Sequence, residues 1–439
     1  MSLSIIILAA GKGKRMKSKT PKIFHNVGNY PMLFHVLDTS RDLKPQNITL
    51  VISKNLNDYV DQISKKYNRV NYALQKNQLG TADAVLSALQ TKESQKPELT
   101  IILYADTPLI SKNTLHKCLK NFRSKKYDLS VLSMIPENSN HSYGRLITSG
   151  DKLKKIIEKS ELKADEKSIK LCNSGIMIAK TKYLHKKLMK IKNKNNKKEF
   201  FLTDIVEIMN NENLKVSHIQ VNQNETLGVN DKRDLAEVEN RFQENFRNFT
   251  LKNGTTIIDP QTVYFSADTK IDSDVVIHPN VFFGLGVSIG KNVEIKSYCH
   301  LEESKISDNV SIGPFARLRN GTIVNKDTKI GNFVEIKKSK IDKNVKISHL
   351  SYIGDAELGN DVNIGAGSIT CNYDGFKKNK TKIKDKVFIG SNSSLVAPVT
   401  IDENSVVSAG SVITKNVKKR SLALTRSDQI QINNYKRKK

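Results

Sequence analysis

The sequence predicts an α/β domain followed, after a single helix, by an all-β coil. Three features point to this. Strand-like apolar runs alternate with helix-like spacing through the first half of the chain. A helical apolar stripe then separates that half from the rest. From Ile271 onward aliphatic residues recur every six positions, a period no helix has and the signature of a parallel β-helix.

The elements follow in order. Ser4–Ala9 reads as an apolar strand, Pro31–Ser40 has helical spacing, and Ile48–Ile52 and Thr100–Tyr104 read as further strands. This alternation predicts a doubly wound, Rossmann-like domain with a mainly parallel sheet over residues 1–227. Ligands bind such sheets at the carboxyl ends of the strands, so functional motifs are expected in the loops that follow them. A linker over residues 228–249 is expected to be helical. Within Asp231 to Asn248, Leu235, Val238, Phe242 and either Phe246 or Phe249 form an apolar stripe, and Asn253-Gly254 ends it.

The coil domain then occupies residues 250–439, with the repeat running from about 255 to 415. Ile271, Ile277, Phe283, Ile289, Ile295 and Leu301 keep the beat, and it returns at Ile389, Leu395, Ile401, Val407 and Ile413. Small or β-branched residues such as Val275, Val281, Val287 and Ser393 tend to sit four places later. A rung of this kind cannot bury its apolar face alone, so many must stack. Steps of five residues near Ser304, Lys340 and Glu357 predict tight corners. A longer break over Thr370–Lys386, containing Cys371-Asn372-Tyr373-Asp374-Gly375, predicts a loop ejected from the coil, with a polar and aromatic composition that favours a functional role.

Composition sets outer limits. The chain has 439 residues, enough for two or three domains with sizeable cores. No run of about 18 apolar residues implies a membrane span. Met1 to Ala10 lacks a basic lead-in and a cleavage site, and reads as a buried strand rather than a secretory signal. Cys118, Cys172, Cys299 and Cys371 have no metal-type spacing, which fits a reducing cytoplasm. The net charge of +28 has two readings, nucleic-acid binding or a lysine-rich composition spread along the whole chain, with patches at Lys192–Lys198 and Lys436–Lys439. Charge alone selects no partner, although a positive field helps capture anionic substrates.

The first strand runs into Leu8-Ala9-Ala10-Gly11-Lys12-Gly13-Lys14-Arg15-Met16, then Pro21-Lys22. Glycines let backbone N–H groups approach phosphate, and Lys and Arg neutralise it. The segment lacks the third glycine of a dinucleotide fingerprint and the GK[ST] of a P-loop. It resembles the nucleotidyltransferases that activate sugar 1-phosphates, whose opening motif is L-A-A-G-x-G-x-R-M followed by P-K. Gln75-Lys76-Asn77-Gln78-Leu79-Gly80-Thr81, Tyr104-Ala105-Asp106-Thr107-Pro108-Leu109, Tyr143-Gly144-Arg145, Asn173-Ser174-Gly175, Glu158 and Gly228-Val229-Asn230 extend the resemblance. It implies Asp106 and Asn230 as ligands of Mg²⁺, Arg15 and Lys22 as catalytic cations on the triphosphate, and Gln75, Gly80 and Thr81 as uracil-reading positions. It further implies Leu8, Ala9, Ala10, Gly11, Tyr104 and Ala105 around the nucleotide, with Gly144, Glu158 and Asn173 holding the sugar. The chain departs from the family at Ala105, where glycine is usual, and at Ala82-Asp83, where Gly-His is frequent.

The coil carries a second polar constellation. Gly313-Pro314-Phe315-Ala316-Arg317-Leu318-Arg319, Asn332-Phe333-Val334-Glu335-Ile336-Lys337-Lys338, His349-Leu350-Ser351-Tyr352-Ile353-Gly354-Asp355 and Asn363-Ile364-Gly365-Ala366-Gly367 follow one another before the ejected loop. These stretches resemble the acetyltransferase half of the bifunctional bacterial enzymes that make UDP-N-acetylglucosamine, and the resemblance spans essentially the full chain in the correct order.

It implies a left-handed parallel β-helix of hexapeptide repeats, a homotrimer, and acetyl-CoA and UTP as co-substrates. The expected substrates are glucosamine 1-phosphate and N-acetylglucosamine 1-phosphate, and the product feeds cell-wall and outer-membrane glycan synthesis. His349 is the expected general base, since imidazole titrates near neutral pH, with Glu335 as its charge partner. Arg319 and Lys337 would clamp the acceptor phosphate, with Tyr352, Asn363 and Lys378 positioning the sugar. Ala366, Asn372, Tyr373, Ser391, Ala409 and Arg426 would contact acetyl-CoA, with Asn372 also a candidate oxyanion donor. Asn320 stands where the family usually has proline.

The expected protein is thus a cytoplasmic bifunctional enzyme with no nucleic-acid or membrane partner. Two other readings have distinct signatures. A nucleotidyltransferase whose coil only trimerises it would not need His349, Arg319 and Lys337. A basic scaffold for nucleic acid would lack the nucleotide constellation and would bind with a steep salt dependence.

Overall fold

The computed structural model describes residues 2–90, 96–137, 143–196 and 198–436, which fold as two compact units, 1–242 and 243–439. The residues Arg437–Lys439 of the basic tail and Lys197 of the internal basic patch lie outside the described residues.

The first unit is built on a nine-stranded sheet. Its strands are β1 (Leu3–Leu8), β2 (Asn47–Ile52), β3 (Val70–Leu74), β4 (Leu99–Tyr104), β5 (Leu129–Met134), β6 (Arg145–Ser149), β7 (Lys152–Ile157), β8 (Cys172–Lys180) and β9 (Val216–Gln220). Their order across the sheet is β3-β2-β1-β4-β8-β5-β9-β7-β6. The β3-β2-β1-β4 half is wholly parallel, as the strand–helix alternation requires. β8 runs antiparallel to both β4 and β5, so the sheet is mixed beyond the centre. Every residue of β1 is buried, which explains a continuous apolar run in place of an alternating one. Two apolar cores cover the two faces of the sheet. The carboxyl ends of β1 and β4 lie side by side, with Leu8 opposite Tyr104, and both signature loops leave from there.

One helix, Lys232–Lys252, crosses the division between the units. In the first unit Val238 is buried, with Leu235 and Phe242 packed beside it against Met16, Val27 and Met32. In the second unit Phe246 stacks on Phe265 at 4.9 Å, while Phe249 is exposed, so Phe246 completes the stripe.

The second unit is a three-faced coil of parallel strands, with ten strands on one face and eight on each of the others. The six-residue beat is its interior: Ile277, Phe283, Ile295, Leu301, Ile312, Leu318 and their successors are buried in one continuous core. The smaller residues four places later are buried beside them, because they fill the space next to each corner. The corners require left-handed backbone, and short polar side chains that tolerate it supply many of them, at Asp274, Asn292, Asn309, Asp327, Asn344 and Asp361. The five-residue steps each enter the third face, and each turns on one left-handed residue, Glu303, Lys338 or Asp355. The last rung pairs Leu422–Ala423 with Val406–Val407, so the coil continues past the expected end near residue 415. The long break leaves between strands Ile369–Cys371 and Thr381–Ile383, and its ejected segment closes on itself through a Tyr373–Lys378 bridge.

Candidate functional sites

In the first unit one cavity of about 420 Å³ opens at the carboxyl ends of β1 and β4. Of the residues expected around the nucleotide, Leu8, Ala9, Ala10, Gly11, Lys22, Gln75, Gly80, Thr81, Tyr104 and Asp106 line it. Ala105 does not: its side chain is fully buried in the core behind the strand end, so its added methyl points away from the cavity.

The cavity floor carries the charge. The Lys22 ammonium forms an ion pair with the Asp106 carboxylate and lies 3.5 Å from the Asn230 Oδ1. Arg15 donates to the same Asn230 oxygen at 2.9 Å. Asn230 is itself fixed, its backbone N–H donating to Asp234 at 2.7 Å. The two oxygens expected to hold Mg²⁺ therefore already share one cation, which is the donor set such an ion needs. A hard oxygen pair with phosphates and waters completing the shell suits Mg²⁺.

At the other end, Gln75 is buried and its amide nitrogen donates to the Gly80 carbonyl at 2.9 Å and to Asp83 at 2.7 Å. With both N–H bonds committed, the Gln75 Oε1 is left to accept from a ligand. Asp83, noted in the sequence only as a departure, is thus what orients Gln75. Gly80 has φ of +126°, and a Cβ there would sit 2.5 Å from the Phe200 carbonyl, so no other residue fits. Gln78 also donates to the Ala10 carbonyl at 2.5 Å, tying this loop to the glycine loop.

Gly144, Glu158 and Asn173 do not line this cavity but are brought together with one another. The Asn173 N–H donates to the Gly144 carbonyl at 2.9 Å, and the Glu158 carboxylate packs against Gly144. Thr203, which the sequence did not single out, donates to Glu158 at 3.0 Å. Burial raises the Tyr104 phenol pKa, and the nearby Glu158 and Asp106 carboxylates add to it, so this phenol stays protonated. Gly175, at φ +87°, makes room for that ring, which a Cβ would approach to 2.8 Å.

In the second unit the strand register assembles the residues. Asn332 pairs with His349, and the same register continued upward stacks His349, Ala366, Ser391 and Ala409 along one corner. Backbone bonds between the rungs fix this column: Gly367 N–H to the His349 carbonyl, Asn392 N–H to Ala366 and Gly410 N–H to Ser391. Arg426 closes the column by donating to the Ala409 carbonyl at 3.2 Å.

The exposed His349 imidazole donates through Nδ1 to the Asn332 Oδ1 at 2.6 Å, which leaves the Nε2 lone pair free to take a proton. Glu335 is not its partner. In register Glu335 lies under Tyr352, a different column, and its carboxylate accepts from Arg319 at 2.7 Å. Asn332 is the residue the sequence missed, and the coil length was the available signal, because it lies one coil of 17 residues before His349.

Across the neighbouring face Arg319 and Lys337 stack on successive rungs. The Lys378 ammonium of the ejected loop approaches Lys337 and holds its pKa below the ordinary lysine value, with Arg319 adding to the effect. Arg319 Nε is buried with no hydrogen-bond partner. Three cations gathered around the single Glu335 carboxylate leave a net positive charge that suits a dianion. Tyr352 lies on this face, and Asn363 lies on the first face, in register with Lys346. Asn372 is buried and donates to Asp355 at 2.5 Å, whereas Tyr373 is exposed on the ejected loop.

Comparison with known proteins matches residues 4–231 to the nucleotidyl transferase family and residues 380–415 to the bacterial transferase hexapeptide family. Relatives match along nearly the whole chain. The bifunctional protein GlmU of Brucella anthropi is 46% identical over 97% of this chain and 93% of its own length. That of Paramagnetospirillum magneticum is 42% identical over 99% and 95%. That of Wolbachia pipientis is 40% identical over 97% of each.

Proposed function

The chain belongs to the bifunctional GlmU family, a nucleotidyl transferase joined to a hexapeptide transferase, and from that premise we propose how its two sites divide the work. The coil acetylates glucosamine 1-phosphate from acetyl-CoA, and the first unit then transfers uridylyl from UTP to N-acetylglucosamine 1-phosphate, releasing pyrophosphate.

In the first unit, catalysis consists of aligning two anions and screening their repulsion. Gln75 accepts from the uracil imide and Gly80 and Thr81 frame the ring. Glu158, held by Thr203, takes sugar hydroxyls with Gly144 and Asn173. The acceptor phosphate oxygen then attacks the α-phosphorus in line with the departing pyrophosphate. Arg15 and Lys22 stabilise the charge that builds on the leaving group. Asp106 and Asn230 would hold Mg²⁺, which supplies further neutralisation of the phosphates when bound. Before the attack Lys22 turns from Asp106 to the triphosphate.

In the coil, Arg319, Lys337 and Lys378 seat the acceptor phosphate, with Tyr352 and Asn363 at the sugar. His349 Nε2 removes a proton from the attacking amine as it adds to the thioester carbonyl, and the tetrahedral adduct then collapses with cleavage of the C–S bond, the departing CoA thiolate taking the proton from the imidazolium. Asn332 keeps the imidazole in the required tautomer. The observation that carries the acetyl-transfer reading is the column of small residues rising from His349 through Ala366, Ser391 and Ala409 to Arg426. At about 4.8 Å per rung it is a narrow track from a base to a guanidinium, suited to a pantetheine arm with phosphates at its far end. Tyr373 of the ejected loop covers the thioester, while Asn372 anchors the base of that loop to Asp355. Since parts of the constellation lie on different faces, a neighbouring copy in a homotrimer would complete each acetyl-transfer site.

A coupled assay tests the proposal. Purified protein with glucosamine 1-phosphate, acetyl-CoA, UTP and Mg²⁺ is expected to yield UDP-N-acetylglucosamine, and omission of any component is expected to stop it. Without UTP, N-acetylglucosamine 1-phosphate should accumulate. Failure to form that intermediate refutes the coil assignment, and failure to consume it when supplied with UTP and Mg²⁺ refutes the other.

A further inference from the structure

Behind the glycine loop lies a second cleft of about 450 Å³, separate from the nucleotide cavity. Lys12, Lys14, Lys54 and Lys76 line it, and no carboxylate does. None of these four ammonium groups is in an ion pair among the described residues. Lysines spread over a surface usually point apart or find carboxylates, because like charges at close range are costly. Four unpaired ammonium groups around one cleft are therefore an arrangement that a polyanion would relieve.

The cleft shares a wall with the nucleotide cavity: Lys12, Gln75 and Gln78 line both. That wall is fixed by the Gln78–Ala10 and Gln75–Asp83 hydrogen bonds, so the two compartments are neighbours by construction. Lys54 and Lys76 line only the second. We propose that this cleft is a subsite for inorganic pyrophosphate, which draws the product off the glycine loop after uridylyl transfer. The inference rests on the uridylyl-transfer reading, since that reaction generates the anion in the adjoining cavity. Lys14 and Lys12 pass it across, and Lys54 and Lys76 hold it.

The test uses the full chain and pyrophosphate itself. In the forward reaction the inhibition constant for pyrophosphate is expected to rise about three- to tenfold in K54Q/K76Q, while the KM for UTP stays within about twofold. The K54R/K76R variant, which keeps both charges, should retain most of the affinity, and the difference between wild type and K54Q/K76Q should shrink as salt rises. An unchanged inhibition constant overturns the proposal. So does a KM for UTP that rises in step with it, because that would indicate an undirected positive field. If wild type makes no UDP-N-acetylglucosamine, the functional reading has failed instead. Calorimetric titration of pyrophosphate then tests the cleft alone: weaker binding in K54Q/K76Q sustains it, and equal binding overturns it.

Discussion

The nucleotide cavity and the coil column bring distant residues together by different means. The cavity draws on loops as far apart in sequence as Lys22, Gln75, Asp106 and Asn230, each delivered by the end of a separate element. The column needs no such convergence. One rung repeats after 17 or 18 residues, so His349 stands over Asn332 because the chain has completed one turn. A loop-built site fails or holds locally, whereas a repeat-built site inherits its geometry from the whole coil. The two sites should therefore be separable by mutation, and their supporting residues should show different kinds of loss.

The largest effects test that separation. His349→Ala is expected to lower acetyl transfer by about 10²- to 10⁴-fold, the usual worth of a positioned general base. Uridylyl transfer from supplied N-acetylglucosamine 1-phosphate should stay within about twofold, as sites that share no residues act independently. Asp106→Asn should do the reverse, with a loss of about 10²-fold or more confined to uridylyl transfer. Equal acetyl transfer by wild type and the His349 variant would remove the proposed base and favour a coil that serves only as a scaffold.

Asn332→Leu probes the column one level down. It keeps the volume but removes the acceptor for the His349 Nδ1–H, so the imidazole loses its tautomer and orientation. Acetyl transfer should fall about tenfold in kcat with little change in KM. Asn332→Asp should instead shift the pH profile of kcat/KM upward, because a carboxylate stabilises the imidazolium. A flat response to both would mean that the rung geometry alone holds the base. The corresponding probe of the cavity is Asp83→Ala. It releases the Gln75 amide, so the KM for UTP should rise about three- to tenfold with kcat retained, a loss of binding rather than of chemistry.

Much of this was legible in the sequence, unevenly between the two regions. The period of six identified the coil, and its five-residue slips marked corners that the structure places at Glu303, Lys338 and Asp355. The loop-built cavity was legible through its motifs, because Gly11 and Asp106 follow closely on strand ends and Asn230 lies just before a helix. Side-chain partnerships were not. Glu335 looked like a partner for His349 because it is charged and close in the motif order, yet rung register puts it beneath Tyr352 and gives it to Arg319. Asp83 looked like a departure because its hydrogen bond to Gln75 spans a turn that spacing does not describe. Which residues face one another depends on register and turn geometry, and a single sequence fixes those only where a repeat makes them countable.

The smallest expected effect separates the units by pH. Asp204, next to the Thr203 that bonds Glu158, has its pKa pushed up to about 6 by burial first and then by Glu161, Glu158 and Glu207. Its unfolded value is about 4, so the folded state binds the proton more tightly than the unfolded one. The resulting stabilisation is complete below about pH 4 and is lost as pH rises through about 6. Above that range Asp204 is ionised among three other carboxylates. Asp204→Asn removes the repulsion and should raise the Tm of the first unit at pH 8 by about a degree or two. The gain should fade toward zero by about pH 4, where wild type carries no charge at this position. Acetyl transfer should be indifferent at every pH, since the coil contributes none of the four groups. A Tm gain that is the same at both pH values would mean that the asparagine acts through packing, and the acidic cluster would then carry no part of the pH response.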